Sequence, residues 1–391
     1  MKKGFGTTLA PPRKALIINK LHKQHTIIHD SFGKDKKNPE IQRILACLFF
    51  DGLCGFCFDY IETGSLISIK RNVKGILIPS EEEALPMHPM DFEEFLWALG
   101  DEMTMPFIEQ CFKRRQPLGG LHRKALEYFR TYMIVGGMPQ AILKYIDTHD
   151  FDEVDRVKRA ILQVYKNDIA KYAANVEHKV KSIFDELPAQ LQKQEKKFRL
   201  SALKPGAAYR DYDDSFFWLS DAGIVNICYN STAPNVGLRL NMERNTLKCY
   251  MADTGLLFSH AFDEKGRVPI EIYQKIIHNK LEINEGMLVE NIVAQMLTAS
   301  GHKLYFYSNS SRENAEDRME IDFLTAKSKL TSRHNITPIE VKSSQRYTLN
   351  SINKCIRKFG NYLDTPVVLH SADLKQENGI DYLPLYMTPL L

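Results

Sequence analysis

Glu320-Ile321-Asp322-Phe323 and, further on, Ile339-Glu340-Val341-Lys342 are the stretches on which the reading of this chain turns. Side chains on a strand alternate between its two faces. Glu320 and Asp322 therefore project together, and Glu340 and Lys342 do the same while Ile339 and Val341 turn to the core. If the two strands pair, Asp322 and Glu340 converge on one divalent cation with Lys342 beside them. Magnesium sites use one or two carboxylates and leave water and substrate phosphate to complete the shell. A lysine there orients a water or holds a phosphate as a point charge. Any half-buried strand alternates in the same manner and a Glu-x-Lys triplet is short, so the bland reading stands beside the chemical one.

Upstream lies Asn284-Glu285-Gly286-Met287-Leu288-Val289-Glu290-Asn291-Ile292-Val293-Ala294-Gln295-Met296-Leu297. Apolar residues at 289, 292, 293, 296 and 297 make one face of a helix, with Glu290 at the edge of the stripe. Lys303-Leu304-Tyr305-Phe306-Tyr307 reads as a strand before the acidic one. Helix with Glu, strand, strand with Asp, then Glu-x-Lys resembles the order in which restriction-endonuclease-like cores present their metal ligands. That resemblance implies catalytic roles for Glu290, Asp322, Glu340 and Lys342, with Asp322 and Glu340 as ligands of Mg2+.

Other pieces are spread along the chain: Tyr60-Ile61-Glu62-Thr63-Gly64-Ser65, Pro89-Met90-Asp91-Phe92-Glu93-Glu94-Phe95-Leu96 and Tyr132-Met133-Ile134-Val135-Gly136-Gly137-Met138-Pro139. Tyr165-Lys166-Asn167-Asp168-Ile169-Ala170-Lys171 and Tyr250-Met251-Ala252-Asp253-Thr254-Gly255-Leu256-Leu257 follow. Together with the acidic strands, this set resembles bacterial and archaeal AAA-type ATPases that carry a C-terminal domain of unknown function. The resemblance runs from about residue 60 to the end of the chain.

One element of that family is missing. Its members open with a strand, a Gly-x-x-x-x-Gly-Lys-Ser/Thr loop and a helix, the loop amides cradling phosphates and the hydroxyl binding magnesium. The nearest approach is Ser31-Phe32-Gly33-Lys34, but Asp35 stands where a hydroxyl is needed and Ile28 where the first glycine belongs. Leu48-Phe49-Phe50-Asp51 imitates the strand that ends in Asp-Glu, yet Gly52 follows. A truncated or rearranged N-terminal part is expected, and ATP is not an expected cofactor.

The chain has 391 residues, 44% hydrophobic and 26% charged, enough for two or three domains with their own cores. A formal charge of +4, from 52 basic and 48 acidic residues, is too mild to imply nucleic-acid binding by itself. No run approaches the roughly 18 apolar residues of a membrane span, and Met1-Lys2-Lys3 leads into no apolar segment, so neither a membrane nor a secretory signal is expected. Seven scattered cysteines suit a reducing cytoplasm. Cys54-Gly55-Phe56-Cys57 lacks a second ligand pair nearby, and its phenylalanine neighbours suit a buried strand pair.

The expected fold class is a multidomain α/β chain. Residues 1–118 form a truncated AAA-like segment and 119–175 a helical lid. Residues 176–262 form a winged-helix-like module and 263–391 a restriction-endonuclease-like α/β domain. Asp91 with Glu94 signals a helix start, and Gly136-Gly137-Met138-Pro139 a turn inside helical periodicity. In the third segment an apolar stretch from Phe216-Phe217 to Ile227 and the run Leu247-Lys248-Cys249-Tyr250-Met251 suggest a wing after helices. Lys193, Lys196, Lys197, Arg199, Lys204 and Arg210 could contact phosphates there, or simply form a solvated face. Lys327, Lys329, Arg333 and His334 in the 325–337 connection carry the same two readings.

The functional expectations are these. One is an AAA-type family protein without ATP hydrolysis whose nuclease-like C-terminal domain cleaves phosphodiesters with Mg2+ and associates with nucleic acid. The alternative is a non-catalytic interaction or regulatory scaffold, or an ATPase whose nucleotide site is not recognisable in this chain. The sequence specifies no oligomeric state.

Overall fold

The computed structural model describes residues 86–391, apart from 174, 194–195, 236, 264–265, 278–284, 311–313, 328–333 and 345. The Ser31–Lys34 and Phe49–Asp51 imitations, the Cys54/Cys57 pair, the strand at 61–65 and most of the 1–118 segment lie outside the described residues.

Helix α1 (Phe92–Ala98) begins where the sequence signals it. Asp91 accepts from the Glu94 N–H at 2.9 Å, and Glu94 accepts from the Asp91 N–H at 2.9 Å, a reciprocal cap on two otherwise unpaired donors. Helices α2 (Thr104–Arg114), α3 (His122–Val135), α4 (Pro139–Thr148), α5 (Phe151–Tyr172), α6 (Glu177–Gln192) and α7 (Asp213–Asp221) follow. Gly136 ends α3 at φ +86°, and Pro139 opens α4, where its missing N–H costs nothing. Phe216-Phe217 does not begin a strand. Asp213 and Asp214 in the first turn favour the helix dipole, and α7 buries Phe216 while leaving Phe217 66% exposed.

Strands β1 (Val225–Ser231) and β2 (Met242–Met251) form an antiparallel hairpin. Then come α8 (Thr254–Ala261), α9 (Ile270–Ile277), α10 (Glu285–Ala299), β3 (Tyr305–Asn309), β4 (Met319–Ala326) and β5 (Ile336–Val341). Helix α11 (Asn350–Phe359), β6 (Val367–His370), β7 (Lys375–Glu377) and β8 (Ile380–Pro384) complete the chain. The strands make one mixed sheet in the order β2-β1-β3-β4-β5-β6-β8-β7. The hairpin is therefore no free-standing wing: β1 pairs in parallel with β3, Tyr229 opposite Tyr305, so a boundary at 262/263 would cut through a single sheet.

The sheet has two covered faces. Phe306, Phe323, Ile339 and Val367 pack with α10 and the helical region, while Tyr307, Ile321, Ile336 and Val368 pack with Ile352 and Cys355 of α11. Every residue of α10 from Met287 to Leu297 is buried, so this helix is an axle with no solvated face. No helix among the described residues is long and apolar enough to cross a membrane.

Several dispersed motifs meet at one joint. Asp253 caps α8 by accepting from Leu256 N–H at 2.8 Å, and it also accepts from Gly137 N–H at 2.5 Å. Met90 N–H donates to the Gly137 carbonyl at 2.8 Å, and the Tyr132 hydroxyl donates to the Met90 carbonyl at 2.8 Å. Gln295 of α10 donates to Tyr132 Oη at 3.0 Å and accepts from Thr254 N–H at 2.8 Å. The helical region and the sheet unit are thus stitched by buried polar contacts, each of which would be costly to leave unmade.

Lys158 of α5 lies beneath this joint, fully buried, donating to the Ile134 carbonyl at 2.7 Å. Burial lowers its pKa to about 8, against the pull of Asp155 and Asp253. A lysine with a depressed folded pKa disfavours folding at neutral pH, and that cost fades as pH rises from about 8 toward 10.5. The stability difference between Lys158→Met and wild type is therefore expected to move by about 3 kcal/mol in favour of wild type between pH 7 and 10. Urea titrations of both proteins across that range measure it, and a pH-independent difference would refute a buried ammonium here.

Candidate functional site

Polar groups collect where α10 crosses β2 and β4. Glu290 enters from the buried middle of α10. Lys248 and Tyr250 alternate with Leu247, Cys249 and Met251 on β2, so both turn toward the helix. Asn291, next to Glu290, holds the register by accepting from Met251 N–H at 2.8 Å and donating to its carbonyl at 3.0 Å. Glu320 and Asp322 come from β4, whose pairing with β3 shifts between Tyr305 and Tyr307, opposite Leu324 and Ile321. Such an irregularity re-aims the side chains at the bulge.

The Lys248 ammonium is the hub. It lies 2.9 Å from Glu320 Oε1, 3.2 Å from Glu290 Oε1 and 3.6 Å from Asp322 Oδ1, and its side chain is 1% exposed. Burial opposes the charge, but the three carboxylates outweigh it and hold Lys248 well above the ordinary lysine range. Glu290 is saturated: Tyr250 Oη and Lys248 donate to Oε1, and Lys196, which also reaches the Gly286 carbonyl at 3.2 Å, pairs with Oε2. Although burial would raise it, the ammoniums of Lys196 and Lys248 bring the Glu290 carboxyl down to about 2. Asp322 Oδ2 accepts from the Val341 N–H at 2.9 Å. Its pKa is raised by burial and by the Glu290 charge, against Lys248 and Lys196.

Glu340 and Lys342 form a separate pair. They alternate with Ile339 and Val341 and turn toward α11, where Glu340 Oε1 accepts from Lys342 at 2.5 Å. The Lys342 ammonium lies 6.0 Å from the Tyr347 ring centroid. Glu340 is 5% exposed and its Oε2 is a buried oxygen with no hydrogen-bond partner. Burial raises its carboxyl, Lys342 lowers it, and the nearby Asp322 charge raises it again.

The four residues expected from sequence are therefore neighbours in two groups. Glu290 and Asp322 share Lys248, while Glu340 and Lys342 pair with each other, joined to Asp322 through the Val341 backbone. Lys196 was read either as a phosphate contact or as part of a solvated face; it points inward instead, 14% exposed and paired with Glu290. Lys248 and Tyr250 were read only as parts of a strand. A lysine in the otherwise apolar run Leu247–Met251, in phase with a tyrosine, was the available signal.

Most of the acidic groups are already engaged by cations of the chain itself. Three of the carboxylates surround an ammonium that β2 fixes in place, Glu290 has its acceptors filled, and the Glu340 orphan oxygen lies beside Asp322. Among the described residues no three His, Cys, Asp or Glu side chains are grouped to hold a metal.

Residues 126–265 match a domain of unknown function, DUF8612, and residues 285–387 match another, DUF4143. The second is a domain found in AAA-ATPase-associated proteins, which gives the C-terminal part a coarse AAA-like link. Both matched stretches build the same sheet, β1 and β2 from the first and β3 to β8 from the second. No curated protein and no solved structure matches the chain.

Proposed function

We propose that this chain is a non-catalytic, AAA-ATPase-associated protein whose C-terminal unit keeps a nuclease-like fold but acts by binding. The order α10-β3-β4-β5 supports the nuclease-like part of the reading, because it is the helix and three-strand order expected from sequence. The observation that carries the non-catalytic part is the Lys248 ammonium within 2.9–3.6 Å of Glu320, Glu290 and Asp322. An internal cation there supplies the charge balance that an ion would bring, but it has no exchangeable coordination position and cannot generate a hydroxide. The AAA-type ancestry without ATP hydrolysis and the helical lid belong to the same proposal.

One observation favours the alternative, a phosphodiesterase. Glu340 Oε2 is an orphan, and Lys342 and Asp322, each about one-fifth exposed, lie beside it. The experiment is cleavage of plasmid and oligonucleotide with Mg2+ by the purified chain, with Glu340→Ala and Lys342→Ala alongside and a calorimetric Mg2+ titration. No cleavage above background and no saturable Mg2+ binding are expected. Cleavage by wild type that drops tenfold or more in both variants would establish the nuclease instead. Saturable binding of a fluorescent ATP analogue would overturn the loss of nucleotide chemistry.

A further inference from the structure

We propose that a groove on the far side of the hairpin, between α7, β1 and the start of β3, binds a nucleoside phosphate. The groove holds about 300 Å³, at the lower end of the usual range for small-ligand sites and too large for a bare phosphate. Arg239 at the entry to β2 and Lys303 after α10 supply two permanent cations, and His302 supplies a ring nitrogen. Tyr229 and Tyr305, opposite one another on β1 and β3, make its aromatic wall, and Thr298 adds a hydroxyl.

The charge pattern is one-sided. Among the described residues no aspartate or glutamate lines the groove, although the chain as a whole is nearly balanced at 52 basic and 48 acidic residues. On other parts of the surface Lys113 is paired with Glu109 at 3.0 Å and Arg123 with Glu127 at 3.3 Å. Cations left together beside tyrosines suit a ligand with a negative end and a flat end. Guanidinium and ammonium groups hold phosphate oxygens, and an aromatic wall accepts a base or a ribose face. A carboxylate ligand would use the cations but leave the tyrosine wall idle. This inference depends on no residue of the Lys248 cluster and stands whether or not the chain is catalytic.

The nucleoside phosphate could be free or one residue of a single strand, and the test separates the two. Fluorescence anisotropy of labelled oligothymidylate is measured with wild type, with Arg239→Ala/Lys303→Ala and with the control pair Lys113→Ala/Arg123→Ala, in each case with thymidine 5′-monophosphate as competitor. The groove variant is expected to bind at least tenfold more weakly, with a log–log salt slope shallower by about 1.4, roughly 0.7 for each lost cation on a single strand. The control pair should match wild type. Competition by the mononucleotide identifies a free nucleotide as sufficient ligand, and binding that only the oligomer shows identifies a strand. No saturable binding of either probe by wild type, or equal losses in groove and control variants, would overturn the proposal.

Discussion

Lys248→Met is expected to lower the unfolding free energy by about 3–5 kcal/mol, because removing one partner of a buried ionic cluster leaves the other charges uncompensated. Glu290 would keep Lys196, but Glu320 and Asp322 would lose the ammonium 2.9 and 3.6 Å away. Methionine nearly preserves the volume, so the loss reports charge rather than packing. Urea unfolding at pH 7 measures it. The acid limb provides a second readout with a definite sign. The Glu290 carboxyl, lowered from 4.5 to about 2, contributes stability that is present above pH 4.5 and lost as pH falls through 2. Lys248→Met removes one of the two cations responsible, so its acid limb should be shallower over that window. A loss under 1 kcal/mol would mean that Lys248 is not the hub of the cluster, and the non-catalytic reading would lose its carrier.

Gly255→Ala should cost about 3 kcal/mol, at the upper end for overpacking a core. A Cβ at Gly255 would stand 2.5 Å from the Val135 carbonyl and 2.6 Å from both Gly136 N and Cα, all backbone atoms that cannot swing aside. A side chain there pushes the α3 terminus off the start of α8 and strains the Asp253 bridge to Gly137 N–H. Gly286→Ala serves as control, because its nearest neighbour is the Ser343 hydroxyl at 3.6 Å, an ordinary contact. Thermal unfolding of the two variants should separate clearly. Equal midpoints would show that the joint between helical region and sheet tolerates separation.

Much of this joint was legible without coordinates. Asp91 with Glu94 is a local signal, since a cap closes within one turn, and Gly136-Gly137-Met138-Pro139 punctuates the helices for equally local reasons. Neither signal says that Gly137 meets Asp253, more than a hundred residues away in the chain. Phe216-Phe217 misled because a short apolar run has no period of its own, and the aspartates before it decided for helix. Lys196 misled for another reason. A basic residue in a basic segment reads as solvated until a buried carboxylate is found to claim it.

What the chain determined alone is periodic: the strands around Asp322 and Glu340, the helix that carries Glu290, and the alternation that puts Glu340 and Lys342 on one side of β5. Hydrophobic burial sorts residues by face, and that sorting is written in their spacing. What the tertiary structure decided is company. Lys248 comes from a hairpin that the sequence separates from β4 by three helices and a strand, yet the folded sheet brings the ammonium to Asp322 and to Glu290 of α10. Coulomb attraction acts through space and not along the chain, so only the folded arrangement could reveal that the acidic residues read as an ion's ligands surround an ammonium of their own.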